Sequence, residues 1–178
     1  MIEGSFPRFA DGRDNYRQSF LDSHRALSAC ARELTRLTEE IAVGVEALSD
    51  VAVDHKAVVR QSPDRCIVQL GPVALTLAWL RGGLESVAAG ELLVIVWRGA
   101  VAPRTQHQPE RPSARRLPLP ATPLWEQVLT AVADNESSWG WQSIRADVGP
   151  YSSSELAARC VERLRAAYVA SGDAEPSP

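Results

Sequence analysis

Apolar residues recur every seven positions from Phe20 through Leu27, Leu34 and Ile41 to Leu48, and Ser23, Cys30, Leu37 and Gly44 follow three residues after each of the first four. This is a heptad, with large apolar residues at a and smaller ones at d, and it predicts one amphipathic helix over residues 13–48. At about 1.5 Å per residue that helix is about 50 Å long, whereas a compact domain of this chain length is roughly 40 Å across. The helix therefore crosses the whole body, kinks, or projects to meet a partner. Ala31 and Val45 at e and Ala26 and Ala47 at g widen the apolar stripe, which favours packing on a sheet or on several helices over an isolated two-stranded coil. Asp11 or Asp14 is placed to cap its first turn.

The period then shortens. Val51–Arg60, Arg65–Leu70, Val73–Leu80 and Glu91–Arg98 are rich in Val, Ile, Leu and Trp and are predicted as strands. The first two are joined through Pro63 and Asp64, which suit a tight turn, and the next two through Gly71-Pro72. The segment from Arg81 to Gly90 is too short for a parallel crossover, so antiparallel pairing is expected. The run Leu92–Trp97 is apolar at both parities and predicts a central strand, or one covered on both faces.

Prolines 103, 109, 112, 118, 120 and 123 interrupt residues 99–123, predicting an exposed loop of polyproline character. Thr122-Pro123 resembles a helix start, and Leu124, Val128, Leu129 and Val132 follow on one helical stripe. Trp139–Val148 is predicted as a short fifth strand, followed by a turn at Gly149-Pro150. Ser152 and Glu155 have capping-box spacing. Leu156, Cys160, Leu164 and Tyr168 then step by four along a final helix. The expected fold is α+β: an antiparallel β-meander of four to five strands packed by a long N-terminal helix and two C-terminal helices. Residues 1–12 are read as an extended arm, 13–170 as one domain with a helical C-terminal part over 123–170, and 171–178 as a disordered tail.

Composition narrows the function classes. A net charge of −3 argues against a generally basic nucleic-acid binder. No apolar run reaches the roughly 20 residues of a membrane span, and the first residues lack a basic segment followed by an apolar one. Cys30, Cys66 and Cys160 are odd in number and widely spaced, which predicts reduced thiols in a cytoplasmic protein. Lys56 is the single lysine among 19 basic residues, as a GC-rich bacterial genome would encode.

No pattern of catalysis stands out. His55 and Cys66 invite a Cys–His pairing, but if Gln61 pairs with Cys66 across the turn, His55 lies about 20 Å from it along the strand. His24, His55 and His107 lack metal-ligand spacing, so no metal and no cofactor are expected. Phosphate-binding glycine loops are absent, and Glu39-Glu40 point about 100° apart on a helix. Two features carry a functional flavour. Arg104, Arg111, Arg115 and Arg116 make the proline loop locally basic and are candidates for an anionic partner, although no aromatic residue accompanies them for base stacking. Trp139 and Trp141 share a face if extended and are candidates for an exposed contact.

The expectation is a non-catalytic protein–protein interaction or assembly module that self-associates or serves as a subunit of a larger complex. Phe20, Leu27, Leu34 and Ile41 are then expected at a helix seam, with Trp139 and Trp141 as further interface candidates. The alternatives are a ligand-binding or enzymatic domain with a tryptophan-lined pocket, and an accessory nucleic-acid binder using the arginine loop.

Overall fold

A computed structural model describes residues 10–51, 55–81, 86–101, 120–145 and 148–172. The element order is α1 (Ala10–Leu21), α2 (His24–Val51), β1 (Val58–Ser62), β2 (Arg65–Leu70), β3 (Val73–Leu80), β4 (Glu91–Arg98), β5 (Thr122–Ala133), β6 (Trp139–Ser143) and α3 (Ser153–Gly172). The strands form one antiparallel sheet in the order β1-β2-β3-β4-β5-β6, so each pairs with its neighbour in sequence. The architecture is the α+β meander expected, with six strands and one C-terminal helix among the described residues.

The N-terminal helix is broken once. Ser23, assigned to a d position, is instead the N-cap of α2: its Oγ accepts from the Ala26 amide at 3.3 Å. The break is tied to the segment that leads into β4, because the Val87 amide donates to the Leu21 carbonyl at 3.0 Å. From there α2 lies on the sheet and buries Ala26, Cys30, Leu34, Leu37, Ile41 and Val45. The buried stripe keeps the centre of the heptad and departs from it at both ends. Position 26 replaces 27 and position 45 replaces 44, the drift of about 20° per heptad of a straight helix against a 3.5-residue repeat.

Strands β2, β3 and β4 have the boundaries expected, and Gln61 pairs with Cys66 as the turn implied. The β2–β3 connection is a two-residue turn in which Gly71 has φ 53°, a value suited to Gly at the first central position of a II′ hairpin. Two expectations are corrected. Val51 ends α2 and residues 55–57 do not join the first strand, which begins at Val58. Residues 124–133 are strand β5, not a helix. Pro123 stands at its start opposite Trp97, and the register slips there between Val96 and Trp97, a bulge that tolerates the missing amide. The arm and the tail fall largely on residues outside those described, but α1 already begins at Ala10 and α3 continues to Gly172.

The capping box forms as its spacing predicts. The Ser152 amide donates to Glu155 Oε2 at 2.8 Å, and the Glu155 amide donates back to Ser152 Oγ at 3.2 Å. The Ser152 amide and hydroxyl, both donating to that carboxylate, hold it below its ordinary range. Helix α3 buries Leu156, Cys160 and Leu164. It crosses α2 closely at Gly44, where a Cβ would lie 2.8 Å from Val161 Cγ2. A polar chain locks the two helices to β6: Trp141 Nε1 donates to Ser153 Oγ at 3.1 Å, and Ser153 Oγ donates to Glu33 Oε2 at 2.6 Å.

Candidate functional site

The sheet has two unlike faces. Side chains alternate along a strand, and the core cluster takes its strand residues from one parity only: Cys66, Val68 and Leu70 of β2, Val73, Leu75, Leu77 and Trp79 of β3, Leu92, Val94 and Val96 of β4, and Leu129, Ala131 and Ala133 of β5, with Trp141 of β6. Helices α2 and α3 cover that face. The opposite parity lies outside the cluster although it too is largely apolar, with Thr76 at its centre. Ile67, Ala78, Leu93, Ile95, Trp97, Val128 and Val132 are half-buried there, and Leu80 at the margin is 48% exposed.

Bare among the described residues, this face is ordered by its own contacts. Trp97 Nε1 donates to Thr76 Oγ1 at 2.9 Å, which lays the indole across β3 and satisfies its single donor. At one end Gln69 acts as a clasp. Its Nε2 donates to the carbonyls of Gly71, Val73 and Gly99, and its Oε1 accepts from the Val101 amide at 3.0 Å. Register places Arg60, Ile67, Thr76, Ile95 and Glu126 in one row across five strands, with the cation and the carboxylate at opposite ends. The surface is thus an apolar strip with polar margins.

No protein-family model, curated protein or solved structure matches this chain.

The residues singled out in the sequence are distributed as follows. Leu34 and Ile41, expected at an intermolecular seam, are 7% and 0% exposed in the chain's own core, while Phe20 and Leu27 are half-buried against it. The seam is occupied because the sheet itself needs a cover, and α2 supplies it. Trp141, a candidate for an exposed contact, is fully buried, and Trp139 is half-buried beside it. The pair does share a face, with ring centroids 5.8 Å apart in an edge-to-face arrangement that continues to Trp79. Arg104, Arg111, Arg115 and Arg116 lie outside the described residues.

The thiols are structural. Burial pushes Cys30 and Cys160 up to about 12 and Cys66 up to about 11, so each is protonated and unreactive in the folded chain. His55 lies between α2 and β1, where its Nδ1 and the Tyr168 hydroxyl are hydrogen-bonded at 3.0 Å. Among the described residues no group of three or more His, Cys, Asp or Glu could hold a metal ion. No described helix is long and apolar enough to cross a membrane.

Concavities lie elsewhere among the described residues. A groove of about 520 Å³ between α2 and α3 is lined by Val43, Gly44, Leu48, Ala158 and Val161. A cleft of about 490 Å³ beside β6 is lined by Arg17, Asp134, Trp139, Gln142 and Glu155, and Arg17 and Asp134 form an ion pair there. Sequence reasoning passed over Leu93, Ile95 and Trp97 as a surface. The signal was present in the run Leu92–Trp97, whose two parities are both apolar and hence call for a cover on both sides.

Proposed function

We propose that this chain is a non-catalytic protein-docking module whose working surface is the bare face of its sheet. One observation carries the reading. On the central strand β4, Leu92, Val94 and Val96 are buried under the helices, while Leu93, Ile95 and Trp97 alternate with them outside the core. Water against that second set is costly at about 25 cal/mol per Å² of apolar area, and a protein surface laid over it recovers this. Contiguous apolar surface with polar margins is the common signature of an association site.

The chemistry of the rest of the chain supports the same reading. The buried thiols are held protonated, and the carboxylates with lowered pKa owe it to hydrogen bonds with arginine or serine: Glu40 to Arg36 and Ser154, and Glu136 to Arg25. These are groups engaged in holding elements together.

The test is a photo-reactive side chain introduced in the source cell at Ile95, on the bare face, and in a separate variant at Val43, which is 68% exposed on α2. The expected result is a discrete protein cross-link from position 95 and none from 43. Cross-links from 43 alone would move the docking site to the groove between the helices and end the reading.

A further inference from the structure

We infer that the partner on the bare face is a second copy of this chain, stacked sheet on sheet about a two-fold axis that runs along β3. This rests on the docking reading above and names its occupant.

The inference comes from the symmetry of the row Arg60–Ile67–Thr76–Ile95–Glu126. Thr76 is its midpoint. Isoleucine stands one strand away on each side, and two strands away stand opposite charges. A two-fold axis in the plane of the interface and parallel to β3 exchanges the two sides of the row. It sets Ile67 of one copy over Ile95 of the other, and Arg60 over Glu126, twice per dimer. A foreign partner has no reason to find this row's apolar residues matched and its charges inverted about one strand, whereas an isologous interface requires self-complementarity of this kind; in the next row the same axis sets the exposed Arg65 over Leu93. Glu126 is exposed, and Arg60 is half-buried and also holds an interaction within its own chain.

The dimensions fit. At about 4.8 Å between strands the two charges are about 19 Å apart, and stacked sheets lie about 10 Å apart with strands within about 30° of each other, a gap that Arg and Glu side chains bridge. The five strands that overlap about this axis, β1 to β5, with about six residues each, give about 24 by 20 Å, or close to 1,000 Å² over both copies in projection. That is the lower bound for a specific interface, so a reversible dimer with micromolar dissociation is expected. Trp97, pinned to Thr76 beside the axis, supplies the rigid aromatic anchor at the centre of the patch.

Sedimentation equilibrium on the full chain tests this with Arg60→Glu, Glu126→Arg and their equimolar mixture. Each reversal alone sets like charges against each other at two places and should weaken the dimer about tenfold, a factor equivalent to about 1.4 kcal/mol. The mixture restores opposite charges at both places, because the Arg60→Glu chain carries two carboxylates where the Glu126→Arg chain carries two guanidinium groups. A heterodimer of near wild-type affinity should form. If Arg60→Glu fails to fold, Glu126→Arg should weaken the dimer more than Glu126→Gln does. A mixture no tighter than its components, or equal effects of the Glu126→Arg and Glu126→Gln variants, would overturn the pairing. A wild type that stays monomeric through several hundred micromolar would overturn self-association. In that case a photo-cross-link from position 95 to a different protein leaves the docking face standing with a foreign occupant. A cross-link from 95 into residues 102–119 of its own chain ends both readings.

Discussion

Val94 and Ile95 are neighbours on β4 that point to opposite faces of the sheet, so the same substitution at each asks which face the chain covers. Val94 is 0% exposed in the core. Replacing it with lysine forfeits about 2 kcal/mol of side-chain burial and places an unpaired ammonium under the helices at a further cost of several kcal/mol. The sum, about 5 kcal/mol or more, is comparable with the whole stability of a typical domain. Ile95→Lys differs in kind. The lysine stem lies along the apolar strip and its ammonium reaches water over the open face, so the cost should be about 1 kcal/mol or less. Urea unfolding read by tryptophan fluorescence, at a concentration low enough to keep chains apart, separates the two outcomes. With a slope of about 2 kcal/mol/M, Ile95→Lys should lower the midpoint by about 0.5 M, and Val94→Lys should show no cooperative transition. Equal loss at both positions would mean that the chain covers its own second face, and the docking reading would fall with it.

The helix crossing gives a second test. Gly44→Ala puts a methyl 2.8 Å from Val161 Cγ2 and should destabilise by about 1–3 kcal/mol despite the helix propensity of alanine, whereas in a Val161→Ala background the same change should stabilise by up to about 1 kcal/mol; paired thermal melts decide it. The thiols predict alkaline sensitivity. Their folded pKa values are raised from 9.0 to about 11–12, so the unfolded chain loses protons first, and stability is intact below pH 9 and falls as pH rises beyond it. Wild type should therefore lose more urea resistance between pH 8 and pH 10 than Cys160→Ala does, by about 1.4 kcal/mol for that one thiol per pH unit above its unfolded value. Ser152→Ala should cost about 1 kcal/mol by removing the cap of α3, seen as a lower thermal midpoint. Because the Glu155 carboxyl is held below its ordinary range, its part in the cap is present above the unfolded value of 4.5 and lost as pH falls below it.

Much of this fold is legible where the chain punctuates itself. Strands β2 to β4 can be read to the residue because Pro63-Asp64, Gly71-Pro72 and Gly90 bound runs whose period is unmistakable. Strand β5 reads as a helix because its inward face includes the polar Gln127 and ends on two small residues: Ala131 sits opposite Trp141 and Ala133 opposite Trp139, so those layers are filled by a large residue on one strand and a small one on the next. Along β5 alone the alternation fades, and Leu124, Val128, Leu129 and Val132 mimic a helical stripe. The pattern exists only across the pair of strands, which one-dimensional reading does not see. The heptad leaves its partner open for a related reason. Its central positions Cys30, Leu34, Leu37 and Ile41 are buried, but by a sheet, and an apolar stripe does not record what it faces. The candidate site is half visible. The double-sided apolarity of β4 demands a second cover, while the row from Arg60 to Glu126 emerges only once five strands are in register.

The unbroken meander also sets the order in which the molecule can be made. Every strand after the first finds its partner in the strand just upstream, so hairpins can add one after another as the chain leaves the ribosome. The lock between Glu33 and Ser153 spans 120 residues and waits for almost the whole length to emerge. Until α3 arrives, part of the face destined for the interior is as naked as the face left outside the core, and both offer apolar surface to passing chains. During synthesis the protein is thus sticky on two sides. Completing the last helix leaves one of them sticky, so the time at risk is set by translation of the segment between β6 and the end of α3.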